Sequence, residues 1–341
     1  MVTRKDVAER AGVSVTAVSR VVNNSGYVAR DKREAILQAV RELGYQPKSI
    51  TIASRWTDTR QILFLNKNFG NSTTIDMYRG MTDYAWKYGY MVSLCGTWEI
   101  ENIKSMSVGG VILSDEGSTE AFDVTFHGLL PLPTVSASFG IARSQPRHIP
   151  FVEMDTYEAM EMLLEYLFAR GHRRIAFASP HPVEEINSRG IAYYNNMRPI
   201  LQDMIKNYLL VEDNHPRIGI SEEADFAQIG KSLAGKFVER KLDATAIACF
   251  NDDIALGMIF RFQEMGIRVP EDISVMSIGG LEKSRSIYPG LSAVLLSPYN
   301  QGRECARVLL NVIHHKSVHR RTRLKVGPVF PGTSVKSLNG E

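Results

Sequence analysis

Cysteine is scarce. The 341 residues contain three, Cys95, Cys249 and Cys305, far apart and with no CxxC or Cys/His spacing. That excludes a disulfide frame and a zinc finger, so the three read as reduced thiols. No apolar run reaches the roughly 18 residues of a membrane span. The opening MVTRKDVAER has no apolar stretch of the kind a secretory signal carries, so a cytoplasmic protein is expected. No GxSxG nucleophile turn appears. Gly109-Gly110 and Gly279-Gly280 lack the spacing of a phosphate loop or a dinucleotide fingerprint. No catalytic residue and no cofactor is therefore expected. His314, His315 and His319 raise the question of a metal, but they lie among Arg320, Arg321 and Arg323. A solvated basic surface is the plainer reading there, and no metal site is expected.

Net charge is also small, +3, in a chain that is 44% hydrophobic and 23% charged. This is an ordinary globular composition, long enough for two or three domains, and it excludes a disordered chain. The charge is unevenly placed. Residues 1–60 hold 11 Lys+Arg against 6 Asp+Glu, a net of +5, which leaves −2 for the remaining 281. A basic head on a nearly neutral body suggests an anionic partner for the head alone.

Within the head, Thr3 can cap a helix from Arg4, with Asp6 at its third position and Val7, Ala8 and Ala11 on its apolar face. Gly12 stops it. Ser14 can cap a second helix whose inward face is Val18, Val21 and Val22. Only Gly12-Val13-Ser14 separates the two, so they must cross steeply, as in a helix-turn-helix. A third helix runs over Arg30–Leu43, with Ile36, Leu37, Val40 and Leu43 inward and Gly44 as its stop. The second helix leaves Val15, Thr16, Ser19, Arg20 and Asn23 outside. Short side chains let a helix approach base edges, and one arginine can pair bidentately with guanine. Thr3, Asn23 and the helix N-termini suit phosphates, and Lys5 adds a further candidate contact. The bland alternative is a three-helix bundle with a generic solvated face.

The run DVAERAGVSVTAVSRVVNNSGYVARDKREAILQAVRELGYQP resembles the DNA-binding domain of the lac-repressor (LacI/GalR) family of bacterial transcription regulators. The resemblance implies that Val15, Thr16 and Arg20 read bases in the major groove, while Thr3, Ser14, Ser19 and Asn23 hold the backbone. It also implies a division into a helix-turn-helix domain at 1–46, a hinge or linker at 47–60, and an effector-binding and dimerisation core at 61–341. The family's hinge helix wedges paired leucines into the minor groove. Here the segment reads Pro47-Lys48-Ser49-Ile50-Thr51-Ile52-Ala53-Ser54-Arg55-Trp56. Ser54 sits near the leucine position, and Ile52 or Trp56 would substitute only in a shifted register. Lys48, Ile52, Ser54 and Trp56 are the hinge candidates.

Beyond the linker, short apolar runs alternate with amphipathic stretches. Strands are expected at Ile62–Leu65, Met91–Leu94, Gly110–Leu113, Thr134–Ser136, Arg174–Ala178, Ala246–Phe250 and Ile273–Ile278. Helices are expected at Tyr157–Arg170, Asp252–Met265 and Gln301–His314, and Met81, Tyr84, Ala85 and Tyr88 read as the core face of another. This alternation implies βαβ units and parallel sheets, with two lobes likelier than one sheet. Phe151–Asp155 is the natural crossing point between lobes. GHRRIA at 171–176, FNDDIALG at 250–257 and GIRVPEDISV at 266–275 carry the family resemblance through the body. The expected fold class is an all-α helix-turn-helix head plus a periplasmic-binding-protein-like α/β core of two doubly wound parallel-sheet lobes.

Three departures stand out. The helix between Cys95 and Gly109 is short. Ser277-Ile278-Gly279-Gly280 replaces the family's Gly-x-Asp-Asp, whose aspartate commonly binds sugar hydroxyls. Pro331-Gly332-Thr333-Ser334 replaces the C-terminal Arg-x-Ser-Thr. The resemblance carries effector-site candidates onto Asp155, Arg189, Asn251 and Phe226. Arg189 offers a fork of donors, and Asp155 and Asn251 supply acceptors. Each has a plainer alternative: Asp155 and Asn251 as helix caps, Arg189 as a surface residue. Asp252 reads as structural. The expected protein is a sequence-specific repressor, homodimeric on palindromic double-stranded operator DNA and controlled by a small-molecule effector. A sugar or sugar phosphate leads, and a purine or nucleoside co-repressor is second. The rival classes are a ligand-binding protein without gene control and an enzyme on the α/β core. No apolar heptads follow Val335, so no C-terminal coiled-coil tetramer is expected.

Overall fold

Three helices make the head: α1 (Arg4–Ala11), α2 (Val15–Val22) and α3 (Arg30–Leu43). At the start of α1 the Thr3 hydroxyl accepts from the Asp6 amide, and the Asp6 carboxylate accepts from the Thr3 amide at 2.7 Å. This capping box satisfies two N–H groups that the first turn leaves unpaired. Gly12 closes the helix at φ 64°, a conformation glycine adopts without cost. Ser14 Oγ accepts from the Ala17 amide at 3.2 Å and caps α2 as its position suggested. Val7, Val18, Val21, Ile36 and Val40 meet in one small core, with Tyr45 as its lid.

The structure is a computed structural model that describes residues 2–22, 26–45, 59–66, 72–128, 132–140, 146–180, 188–212 and 225–339. Asn23 and the hinge candidates Lys48, Ile52, Ser54 and Trp56 lie outside the described residues.

The first lobe is built from β1 (Gln61–Asn66), α4 (Ser72–Ala85), β2 (Met91–Gly96), a 3-10 helix (Thr97–Ser105), β3 (Gly110–Leu113), α5 (Glu116–Phe126), β4 (Thr134–Ser138) and β5 (Phe151–Met154). The 3-10 stretch is what replaces the full helix before Gly109. The chain then crosses into a second lobe: α6 (Thr156–Ala169), β6 (Ile175–Ser179), α7 (Ser188–Leu201), β7 (Leu209–Val211), α8 (Phe226–Glu239), β8 (Ala246–Cys249), α9 (Asp252–Glu264), β9 (Ser274–Gly279), α10 (Glu282–Arg285) and β10 (Ser292–Leu295). It returns to the first lobe for α11 (Pro298–Ile313) and β11 (Arg321–Leu324), and crosses a third time to β12 (Val329–Phe330).

The first sheet has the order β11-β5-β4-β3-β1-β2 and the second β12-β10-β9-β8-β6-β7. Every pairing is parallel except β10 with β12. Strands buried on both faces need apolar side chains in both directions. That explains runs such as Ile62-Leu63-Phe64-Leu65 and Ala246-Ile247-Ala248, all buried. Met77, Met81 and Ala85 line the core face of α4, but Tyr88 lies past its end and is exposed. His172 of the GHRRIA segment is buried, its ring joined to the Thr245 hydroxyl at 2.9 Å and the Lys336 carbonyl at 3.0 Å. It stitches the C-terminal segment to the second lobe, and burial pulls its pKa down from the usual imidazole value.

Each lobe holds one pair of helices at backbone contact. A Cβ on Gly80 would lie 1.9 Å from the Tyr299 carbonyl oxygen, and one on Gly302 would lie 2.0 Å from that of Met77. The same reciprocity joins α8 and α9, where a Cβ on Gly230 would lie 2.2 Å from Ile254 O and one on Gly257 2.0 Å from Ala227 O. Gly235, on α8 as well, has nothing within 4 Å of its Cβ position. Gly302→Ala should therefore lower stability by about 1–3 kcal/mol through overpacking. Gly235→Ala should raise it by up to about 1 kcal/mol through helix propensity. Urea denaturation of the two variants should shift in opposite directions.

Candidate functional site

Two places carry chemistry. On the head, α2 buries Val18 and Val21 and turns Val15, Thr16 and Arg20 to solvent, with Val15 45% exposed. Exposing a valine is unfavourable in water and useful against a thymine methyl group. Lys5, Thr3 and Ser14 are exposed beside this face. The Thr3 hydroxyl is engaged with Asp6 at 2.8 Å, so it serves the helix cap first. Ser19 is half-buried, and Arg4 reaches its hydroxyl at 3.5 Å.

The second place lies between the sheets. In an open parallel sheet, ligands bind beyond the carboxyl ends of the strands, where the strand order reverses. The first sheet reverses between β1 and β3, and Glu116 follows β3 directly. The second reverses between β6 and β8, and Arg189, Phe250 and Asn251 follow those strands. The two switch points face each other. Arg189 is 6% exposed, so the surface alternative for it fails. Its guanidinium lies over the Phe250 ring, 4.3 Å from the centroid, and its buried Nε has no hydrogen-bond partner among the described residues. Burial brings its pKa down to about 10, against the opposing pull of the Glu116 charge. It is therefore a cation at neutral pH, stripped of water.

Glu116 is the residue that sequence reasoning missed. It is 6% exposed, and its Oε1 accepts from the Ser138 hydroxyl and the Phe139 amide, both at 2.7 Å. Its only sequence signal is position, immediately after an apolar strand. Beside it the Ser188 hydroxyl donates to the Gly140 carbonyl, a direct contact between the lobes. The Thr156 hydroxyl donates to Phe139 O at 2.8 Å.

The other candidates are committed to structure. Asp155 caps α6 through the Glu158 amide at 3.1 Å, and its second oxygen meets Arg323 at 2.9 Å. Its capping alternative is thus realised, with an ion pair to the third crossing added. Asn251 caps α9 through the Ile254 amide at 2.9 Å. Arg189 and Asn251 come together through the Phe250 ring. Phe226 opens α8 and packs against the second-lobe core, and among the described residues no hydrogen bond or ring contact joins it to Arg189.

The Gly279-Gly280 departure has a physical reason. Asp252, 1% exposed, accepts from the Ser277 hydroxyl at 2.5 Å and from the Gly280 and Leu281 amides at 3.0 and 2.6 Å. A Cβ on Gly279 would lie 2.6 Å from Asp252 Oδ1. One aspartate thus binds the turn that follows β9, and it leaves no room for a second side chain there. Among the described residues no group of His, Cys, Asp and Glu could hold a metal ion, and no helix is long and apolar enough to cross a membrane.

A helix-turn-helix head with a solvent-facing second helix, joined to two α/β lobes with a buried arginine at a switch point, defines the class: a DNA-binding regulator with an effector-binding core. Residues 3–48 match the family of bacterial regulatory proteins of the lacI type, and residues 164–335 match the periplasmic binding protein-like domain. The chain is 30% identical to the HTH-type transcriptional repressor PurR of Vibrio atlanticus (strain LGP32), over 99% of this chain and 100% of that protein. A CelR transcriptional regulator in complex with cellobiose shares the fold at TM-score 0.69 and 20% identity, covering 98% of this chain and all of the other. A lac repressor dimer bound to operator and the anti-inducer ONPF matches at TM-score 0.64 and 21% identity, covering 98% and 99%. The chain belongs to the LacI family of bacterial transcriptional regulators.

Asp252→Ala removes the acceptor of two backbone amides and should cost about 1–3 kcal/mol of stability. Asp253→Ala, which loses only an exposed contact to Lys283, should cost less than about 1 kcal/mol. Chemical denaturation of the two variants compares them directly.

Proposed function

We infer that this chain is a cytoplasmic repressor, not an enzyme, which binds a palindromic operator as a homodimer and changes affinity when a small molecule occupies the interlobe cleft. The observation that carries this reading is the solvent-facing triplet Val15, Thr16 and Arg20, on a helix whose opposite face is locked into the head's core. Val15, Thr16 and Arg20 read bases. Thr3, Lys5, Ser14, Ser19 and Asn23 contact the backbone. The hinge runs through Lys48, Ile52, Ser54 and Trp56. One head spans only a half-site, and two-fold related heads match a palindrome. The domain limits 1–46, 47–60 and 61–341 belong to the same proposal.

Arg189 is the effector's anchor, and Asn251 and Phe226 are further contacts for the ligand. Asp155 acts by fixing the crossing rather than by offering a free acceptor. The ligand acts by preferring one arrangement of the lobes, and this changes the spacing of the two heads. The coupling expected is about 1–3 kcal/mol, and it is reciprocal between ligand and operator. A sugar or sugar phosphate leads for the effector, and the neighbouring regulator solved with cellobiose supports a sugar. The relative named PurR favours a purine or nucleoside as the second reading.

An operator is first selected from random duplexes. Arg20→Ala should then lose about 1–3 kcal/mol on it and relax the preference at one base pair. Lys5→Ala should weaken all duplexes alike and flatten the salt dependence. Equal loss on specific and random DNA for Arg20→Ala would remove its base-reading role. A thermal-shift screen of sugars, sugar phosphates, nucleobases and nucleosides identifies the effector. Arg189→Ala should then abolish the response of operator affinity to that ligand and leave the ligand-free affinity near the wild-type value. A full response in Arg189→Ala would move the effector site elsewhere.

A further inference from the structure

Every pairing in the first sheet is parallel, so its six strands all start at one end of the lobe. The chain coming from the head enters at that same end, through Thr59 and Arg60 into β1. The segments that lead into the six strands are 59–60, 86–90, 104–109, 127–133, 146–150 and 314–320. Together they hold Arg60, Lys87, Lys104, Arg147, Lys316 and Arg320, and not one Asp or Glu. All six cations are exposed. Among the described residues no ion pair joins Arg60, Lys87, Lys104, Arg147 or Lys316 to a carboxylate. Glu101 and Asp123 lie about one turn before two of these segments, and Asp123 is paired with His148 at 3.7 Å. The segments also pack on one another. Arg60 lies over the Tyr90 ring at 5.5 Å, and His314 meets the same ring edge-on at 6.2 Å.

The second lobe supplies the comparison. Its parallel strands are entered through 170–174, 202–208, 240–245, 265–273 and 286–291, which mix seven Lys and Arg with four Asp and Glu. Ion pairs close part of that charge, Arg174 with Asp243 at 3.2 Å and Arg268 with Asp272 at 2.7 Å. Acids are thus missing only from the end that faces the head's attachment. Like charges gathered on one face repel, and a polyanion laid against them relieves that repulsion. Duplex DNA carries one negative charge per about 1.7 Å of axis. A duplex gripped by the head is tethered to this face through residues 46–58, which span at most about 50 Å when fully extended. Salt screens such attraction beyond about 10 Å, so the cations act on DNA only at close approach.

We propose that the strand-start face of the first lobe is a second DNA-contacting surface, lying against duplex phosphates that the two heads do not cover, on the reading of the chain as an operator-binding regulator. The basic segment 314–320 is part of this surface. It carries no sequence preference and adds salt-dependent affinity to whatever the heads select.

The test uses the full-length protein, the selected operator and one random duplex. Lys87→Gln/Lys316→Gln removes two exposed cations per protomer and four per dimer. Its log-log dependence of affinity on salt should be shallower than that of the wild type by at least about 2 on both duplexes. Between about 50 and 200 mM salt the wild type should therefore lose at least about 15-fold more affinity than the variant. Hydroxyl-radical footprinting should show backbone protection outside the two half-sites that the variant loses. Lys104→Gln/Arg147→Gln should act in the same direction. Lys206→Gln/Lys241→Gln, an equal charge change at the corresponding end of the second lobe, should leave slope and footprint as in the wild type. An unchanged slope in both first-lobe variants would overturn the proposal. So would an equal change in the second-lobe variant, or a lowered slope with an unaltered footprint. A wild type that selects no operator fails the repressor reading separately, and the random duplex then still decides this one.

Discussion

The chain crosses between its two lobes three times, and the cleft depends on that constraint. The crossings fall after β5, after β10 and after β11, so the carboxyl ends of both sheets are held toward each other. The crossing segments are also tied to one another. Asp155 on the first meets Arg323, which leads into the third. On the second and third, the Gly327 amide donates to the Leu295 carbonyl at 2.7 Å, and the Leu295 amide donates to the Pro328 carbonyl at 3.1 Å. Three strands bound in this way restrict the lobes to reorientation about a common line. Residues at the switch points, far apart in sequence, must then approach each other whenever the lobes close.

The head was legible almost residue by residue because its signals are local. A capping threonine, an aspartate three residues on, a glycine stop and a 3.6-residue apolar period each act within one or two turns. The strands at Ile62, Gly110 and Ala246 were legible for a related reason, since burial on both faces leaves an unbroken apolar run. Four-residue strands at the crossings were not. Arg321-Thr322-Arg323-Leu324 reads as basic surface, and it becomes a strand only because β5 offers an unpaired edge some 170 positions earlier in the chain.

The cleft was legible in its cation and not in its anion. Arg189 stood out through the family resemblance, although its burial is a tertiary fact. A glutamate in the first turn of a helix ordinarily needs no explanation beyond the helix dipole. Only the fold shows that Glu116 is buried and held by the Ser138 hydroxyl and the Phe139 amide. The caps at Asp155 and Asn251 show the converse. Each side chain satisfies a helix end, so the residues that best resemble ligand contacts also maintain the local backbone. A substitution at either one mixes folding with recognition.

The glycine pairs bear on how the lobes can move. Where Gly80 meets Tyr299 and Gly302 meets Met77, two helices touch along their main chains, and α8 and α9 do the same in the second lobe. Backbone pressed on backbone has no side-chain layer to shear through, and sliding by even part of a turn would drive a carbonyl into a neighbouring chain. Each lobe is therefore a stiff lever arm, with its compliance confined to the three crossing strands. A few degrees of bend at those strands arrive undiminished at the far end of the first lobe, where the head is attached.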